Sequence, residues 1–423
     1  MRSRVELCAT AGASLGCAGC SYVHGGHILS MNETPSAKRT HIGFFGCRNA
    51  GKSSLVNAVT GQSLAIVSDV KGTTTDPVLK AMELLPLGPV VIIDTPGIDD
   101  EGALGALRVS RANDALNRCD AAVLVVDGCR GLTKADSDLI SSMRDRELPF
   151  VVAWNKCDSP DALPPEEGAM PVSALTGENI PALKERLARI VPDRQERPLA
   201  GDLVRPGDAA ILVCPMDEAA PKGRLILPQQ QVIRDLLDHG AMPLVCRDTE
   251  LKAALDSLKR PPAIVITDSQ AFRQVSGILP REIPLTSFSI LMARHKGFLD
   301  AAVRGVAAID GLEDGNRVLM AEGCTHHRQC NDIGTVKIPR WLRQHTGKAL
   351  QIDTCSGREF PEDLSPYSLV IHCGGCMLTE TVVGYRMRTA LSQGVPFTNY
   401  GIVIARITGI LDRSLEPLKE VDG

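Results

Sequence analysis

Residues 41–61, HIGFFGCRNAGKSSLVNAVTG, admit few folds. A short apolar run enters a loop of the form G-x-x-x-x-G-K-S, and an amphipathic run follows it and stops at Gly61. Strand, loop and helix in that order are what a phosphate-binding loop requires. Gly46 and Gly51 let backbone amides approach phosphate oxygens at a helix amino terminus. Lys52 supplies a point charge to the β- and γ-phosphates and Ser53 a hydroxyl to Mg²⁺, while Asn49, Ala50, Gly51 and Ser54 complete the loop.

Three further elements follow in order. In KGTTTD, Thr74 is the residue expected to meet Mg²⁺ and the γ-phosphate. PVVIIDTPG reads as a buried strand that brings Asp94 to the metal's water shell and Gly97 to the γ-phosphate, where hydrolysis becomes motion. Lys52, Thr74, Asp94 and Gly97 form the expected catalytic set. FVVAWNKCD ends a strand with Asn155, Lys156 and Asp158. A carboxylate at that place accepts from N1–H and from the amino group of guanine, and adenine would leave it buried and unpaired. The nucleotide is therefore GTP, turned over to GDP. VSALTGENI sets Ser173 and Ala174 to line guanine O6 through backbone groups.

At these residues the chain resembles the TrmE/Era/EngA branch of translation-factor-class GTPases, roughly over residues 38–197. Ile98 stands where Ras-like enzymes carry a water-orienting glutamine, so another group must do that work. The potassium-dependent members of the branch carry an asparagine in the phosphate loop, matched here by Asn49. The resemblance implies a K⁺ ion bridging the phosphates and a potassium-stimulated GTPase. Asp99, Asp100 and Glu101 form an acidic run in the segment expected to move, and such runs are usually only solvated.

The chain has 423 residues, too many for one ordinary core. Its 44% hydrophobic and 23% charged residues are those of a soluble globular protein, and a net charge of −4 gives no footprint for nucleic acid. No apolar run approaches the length needed to span a bilayer. Fourteen cysteines are too scattered for a disulfide framework and, beside a GTP site, imply a reducing cytoplasm. Residues 1–37 read as a disordered tail with Met31 as an alternative translation start. Glu6 interrupts any apolar leader, and the isolated Cys17 and Cys20 carry little weight.

After the Pro- and charge-rich RIVPDRQERPLAGDLVRPGD the pattern restarts. AAILVCPMD, MPLVCRD and PAIVITDS read as strands, with QQQVIRDLLDHG and ELKAALDSLKR as helices between them. This second α/β unit, residues 198–292, holds no phosphate loop and no cluster of ligands, and Cys214 and Cys246 read as ordinary strand cysteines. It is expected to be an assembly module. The third unit, residues 293–423, opens on ARHKGFLDAAVRGVAAIDGL, which predicts one long helix. NRVLMAEGCTHH is a strand whose carboxyl end carries Cys324 and His326, and SLVIHCGGC another that carries His372, Cys373 and Cys376. Ligands sit at the carboxyl ends of strands in open α/β sheets, so adjacent strands would bring the three thiols to one crevice. Gly374 and Gly375 let both thiols of the CxxC face one centre. Three sulfurs with optional histidines fit a closed Cys₃His zinc site or an iron–sulfur cluster with one exchangeable ligand, and spacing does not choose. Side chains alternate along a strand, so His372 should first point away from Cys373.

The constellation Cys-x-His followed by His-Cys-x-x-Cys resembles the signature of the HydF family, the GTPases that mature iron-only (FeFe) hydrogenases. The resemblance runs from about residue 38 onward. It implies an α/β fold in which a P-loop GTPase domain (38–197) precedes two further α/β domains with mainly parallel sheets, a dimerisation domain (198–292) and an iron–sulfur cluster-binding domain (293–423). It implies a 4Fe–4S cluster on Cys324, Cys373 and Cys376 with the last position open, His326 or His372 being candidate fourth ligands. It implies further that a transient di-iron subcluster arrives from radical SAM maturases and passes to apo FeFe-hydrogenase, with no nucleic acid or membrane partner and a homodimeric assembly. Cys330 and Cys355 lie outside the motif and read as structural. A tRNA-modification or ribosome-assembly GTPase would share the first domain but should carry a basic RNA-binding face, and a zinc-stabilised regulatory GTPase is the other alternative.

Overall fold

Long uninterrupted apolar runs such as AAVLVV predict strands buried on both faces, and the first domain is built from them. Its sheet runs β2 (Val78–Leu84), β3 (Gly88–Asp94), β1 (Thr40–Phe45), β4 (Ala121–Asp127), β5 (Phe150–Asn155), β6 (Met170–Pro171). Every pair is parallel except β2–β3. Alternation along the strands fills two cores: Phe44 and Val123 meet Leu55 and Leu183 on one face, Phe45 and Leu124 meet Met143 and Trp154 on the other. The computed structural model describes residues 35–62, 78–98, 103–192, 197–215, 225–323, 332–357 and 359–419. Thr74, the Asp99–Glu101 run, Cys324, His326, Cys330 and the tail with Cys17, Cys20 and Met31 lie outside the described residues.

The described residues that follow form two four-stranded sheets. β7 (Ala209–Val213), β8 (Met242–Cys246), β9 (Ile264–Thr267) and β10 (Leu285–Ser287) stand in the order β10-β9-β7-β8. β11 (Arg317–Ala321), β12 (Gln351–Cys355), β13 (Leu369–His372) and β14 (Phe397–Asn399) stand in the order β12-β11-β13-β14. All their pairings are parallel. The three strands expected in the middle unit are β7, β8 and β9, and β10 is too short for alternation to reveal it. The single long helix expected from residue 293 is instead two: Phe288–His295 ends where Gly297 takes a φ of 73°, and Leu299–Gly305 follows and tightens into a 3₁₀ turn. A left-handed glycine stops a helix because the next amides then close back on its last carbonyls. Residues 292 and 293 therefore lie inside one helix.

The two sheets share one strand order, and the likeness extends to sequence. Pro284–Asp300 (PLTSFSILMARHKGFLD) and Pro396–Asp412 (PFTNYGIVIARITGILD) agree at eight of seventeen positions. In each, a short strand ends in an N-cap, Ser287 or Asn399, whose side chain accepts from the amide three residues on, and a glycine at φ 73° closes the helix. Arg294 pairs with Asp202 and Arg406 with Asp310, the counterpart ion pair. The copies meet at corresponding residues, since Ser289 Oγ accepts from Gly401 N at 3.3 Å. Contact between equivalent positions is the mark of a twofold relation, here within one chain. The helices that follow are exchanged. Leu299–Gly305 packs on β14, where the Thr398 hydroxyl donates to Ala302 O, and Leu411–Lys419 packs on β10, with Arg413 donating to the Leu279 and Pro280 carbonyls. One continuous buried core accordingly runs from Leu199 to Leu418.

The first domain touches this pair beside the thiol loop. The Thr381 hydroxyl donates to Asp120, whose carboxylate also accepts from His41 N at the start of β1. Arg197 pairs with Glu380.

Candidate functional site

The glycine loop after β1 has the backbone its sequence requires. Gly46 and Gly51 take φ of 139° and 87°, and a Cβ at Gly46 would stand 2.2 Å from Val125 O. Buried Lys52 donates to the carbonyls of Gly46 (3.2 Å) and Cys47 (3.3 Å), a resting place from which it can turn to phosphate. Ser53 Oγ donates to Asp94 Oδ2 at 3.3 Å, so the two groups expected at Mg²⁺ are adjacent. Burial pushes the Asp94 carboxyl up despite Lys52 and Ser53, and among the described residues its buried Oδ1 has no hydrogen-bond partner. An orphaned carboxylate oxygen beside a serine hydroxyl fits a hydrated Mg²⁺. Gly97 lies so close to the loop that a Cβ would meet Arg48 Cα at 2.9 Å. Ala50 is buried, Ser54 is exposed, and Asn49 is exposed at a φ of 63°, a conformation asparagine tolerates for its own sake.

The base-binding end carries a strut that sequence reasoning did not anticipate. Asn155 Nδ2 donates to Ala50 O at 2.9 Å and its Oδ1 accepts from Ala174 N at 3.0 Å, tying the phosphate loop to the guanine loop. The Ala174 amide expected at O6 is thus held by Asn155. Ser173 Oγ accepts from the amides of Leu175 and Thr176 and shapes that turn. Lys156 Nζ pairs with Asp127 at 2.7 Å, and Asp158 stands exposed at the mouth.

The second site lies at the carboxyl ends of β11 and β13. These strands are paired, with Ala321 opposite His372, so the chain entering Cys324 runs beside the chain entering Cys373. Gly323 N donates to Cys373 Sγ at 3.1 Å and Gly375 N to the same sulfur at 3.4 Å. Gly375 takes a φ of 66°, which turns the loop between the two thiols. Burial raises both thiols, Cys376 to about 11, so without metal both hold their protons. Amide donors to sulfur and a shared, partly buried position fit a metal–thiolate centre. Among the described residues no three ligand side chains gather, and the third sulfur of the motif is outside them.

His372 turns the other way. Its ring is fully buried against Phe298 and Phe397, Nε2 accepts from Arg386 Nη1 (3.1 Å), and Nδ1 therefore carries the proton and donates to Cys373 O (2.7 Å). Both nitrogens are committed. Against expectation His372 is a strut under the loop and offers no ligand, as strand alternation already implied. Burial, with Arg386 adding to it, pulls its pKa to about 3 from 6.5. Between those values the unfolded chain binds the extra proton, so stability present above pH 6.5 is lost as pH falls toward 3. Chemical denaturation at successive pH values below neutrality should show stability falling by about 1.4 kcal/mol per pH unit from this group. His372→Gln should flatten that slope, and an equal slope in both proteins would refute the assignment.

Three family models match the chain in order. One described as a 50S ribosome-binding GTPase covers residues 41–156, the hydrogen maturase F dimerization domain covers 199–297, and the hydrogen maturase F tetramerization domain covers 300–417. The last two together take in more than half of the 423 residues. This chain belongs to the hydrogen maturase F family. Its GTPase domain is also similar to curated GTPases with other roles. It is 37% identical over 179 residues to the tRNA modification GTPase MnmE of Synechococcus sp. (strain JA-3-3Ab), covering 40% of this chain and 38% of that protein. It is 33% identical over 181 residues to the GTPase Der of Synechococcus sp. (strain ATCC 27144 / PCC 6301 / SAUG 1402/1), covering 40% and 39%. This maturase F chain thus spans under half the length of either. It is a GTPase whose later domains are of the oligomerising kind. No helix among its described residues is long and apolar enough to cross a membrane. Around its thiols the structure adds residues with no sequence signature: Arg386, which looks like a surface arginine in a helix, Lys296, and Glu322 with its partner Tyr400.

Proposed function

We propose that the chain is a GTP-hydrolysing scaffold that holds a 4Fe–4S cluster on Cys324, Cys373 and Cys376 and carries a di-iron precursor to apo FeFe-hydrogenase, receiving it from radical SAM maturases in the cytoplasm. The observation that carries this reading is the Gly323 N to Cys373 Sγ hydrogen bond, because it joins the residue beside Cys324 to the CxxC loop. A 4Fe–4S cluster held by three cysteines would keep one iron open to ligand exchange. This chain's own residues supply amide donors to sulfur and the buried strut that sets the loop. The exchangeable position falls to His326, water or an incoming group, His372 being engaged elsewhere. Anaerobic reconstitution with iron and sulfide tests the reading: a broad visible absorption and a spin-resonance signal on reduction are expected, while uptake of zinc alone would replace it with the zinc-stabilised alternative.

The same proposal includes a homodimer through the middle sheet. β8 forms its edge, with Met242 58% and Val245 42% exposed, and an open apolar edge invites a second strand. It also includes potassium assistance at Asn49. Turnover should rise several-fold in K⁺ over Na⁺ and lose that preference in Asn49→Ala; equal rates of the unmodified protein in both salts would dispose of the ion.

A further inference from the structure

The carboxyl ends of β4 and β5 are pressed together beside the base-binding loop. Asp127 ends β4 in register with Asn155 at the end of β5, and Gly128 N donates to Asn155 O at 2.8 Å. A Cβ at Gly128 would stand 2.6 Å from that carbonyl and 3.0 Å from Trp154 Cδ1, so only glycine lets the two ends close. Both oxygens of the Asp127 carboxylate are then in use. Oδ1 accepts from Cys129 N at 3.0 Å, which fixes the carboxylate in a turn of its own backbone. Oδ2 accepts from Lys156 Nζ at 2.7 Å, with the carboxylate side chain 12% exposed and the lysine side chain 38%. Lys156 itself takes a φ of 67°, uncommon for a residue with a Cβ and kept only where the surroundings dictate it. Its side chain is thus held at both ends, by a set backbone at one and a set carboxylate at the other.

We propose that Asp127 is a positioning residue for the nucleotide: it holds the methylene stem of Lys156 as a rigid ledge on which the guanine ring packs. A free lysine side chain gives up rotamer freedom when a ligand packs on it, and a tethered one has given it up beforehand. Asp127 does not touch the nucleotide and acts through Lys156. The proposal rests on the reading of Asn155, Lys156 and Asp158 as the guanine-binding residues.

The experiment measures binding of a fluorescent GDP analogue and steady-state GTP turnover by the full chain, with circular dichroism on each sample. Asp127→Asn is the informative change, because its Oδ1 still accepts from Cys129 N while its amide cannot pair with the ammonium. The Kd for the GDP analogue and the KM for GTP should each rise about fivefold, with kcat at saturating GTP within about twofold of the unmodified protein. Lys156→Met, which keeps a straight stem and removes the charge, should show a rise of the same order. Adding Asp127→Asn to it should cost less than about another twofold, since the two residues act as one unit. Fully additive losses would mean that Asp127 acts apart from Lys156 and would overturn the proposal. Unchanged or tighter binding in folded Asp127→Asn would also overturn it, by making the ion pair a resting contact that the nucleotide breaks. Should Asp127→Asn fail to fold, unchanged affinity in Lys156→Met overturns the ledge. Asp158→Asn separates this proposal from the reading beneath it: GDP affinity should fall about a hundredfold if these residues hold guanine. Normal affinity there overturns the base site and the ledge together, whereas a hundredfold loss beside normal affinity in Asp127→Asn overturns the ledge alone.

Discussion

Cys373→Ser and Cys376→Ser proteins are expected to bind at least about tenfold less iron after reconstitution than the unmodified chain, with loss of the visible absorption. The change is small in volume, and both sulfurs lie on a loop stopped by Gly375 beyond the end of β13, so the fold should survive. What disappears is the ligand. Serine's hydroxyl stays protonated near neutral pH, while a thiol that burial holds near 11 in Cys376 is still released readily once a metal competes for it. GTP turnover should be unaffected in either variant, because the phosphate loop belongs to the first domain. Full iron content in either serine protein would remove that residue from the centre.

Lys52→Ala should lower GTP turnover by about a thousandfold while leaving the iron content of the same sample unchanged. The ammonium donates to the carbonyls of Gly46 and Cys47 and also holds the buried Asp94 carboxyl down, so removing it should push that carboxyl further up. Its loss is felt at the phosphates, where no other described side chain of the loop carries charge except Arg48, which is exposed. Turnover within about tenfold of the unmodified protein would mean that charge at the phosphates comes from elsewhere. Loss of iron in folded Lys52→Ala would show that the two sites are not separable.

The nucleotide site was largely legible because each part is local: a glycine that must take positive φ, a lysine one residue on, an aspartate at the end of an apolar strand. The Asn155 strut is not local, joining Ala50 to Ala174 across the loop, and no spacing announces it. At the thiols, the strand ends were legible from apolar runs closed by Cys and Gly. The fate of His372 was decided by Arg386, fourteen residues away on a helix, and of the two arginines in ETVVGYRMRTALS nothing hints that the first points inward. The repeat was open to discovery by comparing the chain with itself, since PLTSFSILMARHKG and PFTNYGIVIARITG align without a gap. It went unseen because β10 and β14 are three residues each, below the length at which period-two alternation speaks.

The exchanged helices have a consequence for how the protein comes undone. Leu411–Lys419 covers a strand of the earlier copy, and Leu299–Gly305 covers one of the later copy, so neither copy can lose its cover without baring the other. Melting of the last helix should therefore propagate through Leu285 and Phe288 into both sheets at once, and the amides of the buried core residues in those sheets should exchange with solvent as a single cooperative block. The ribosome would meet the same constraint in reverse: the first copy, finished early, has to wait for the final turns of the chain before it can close.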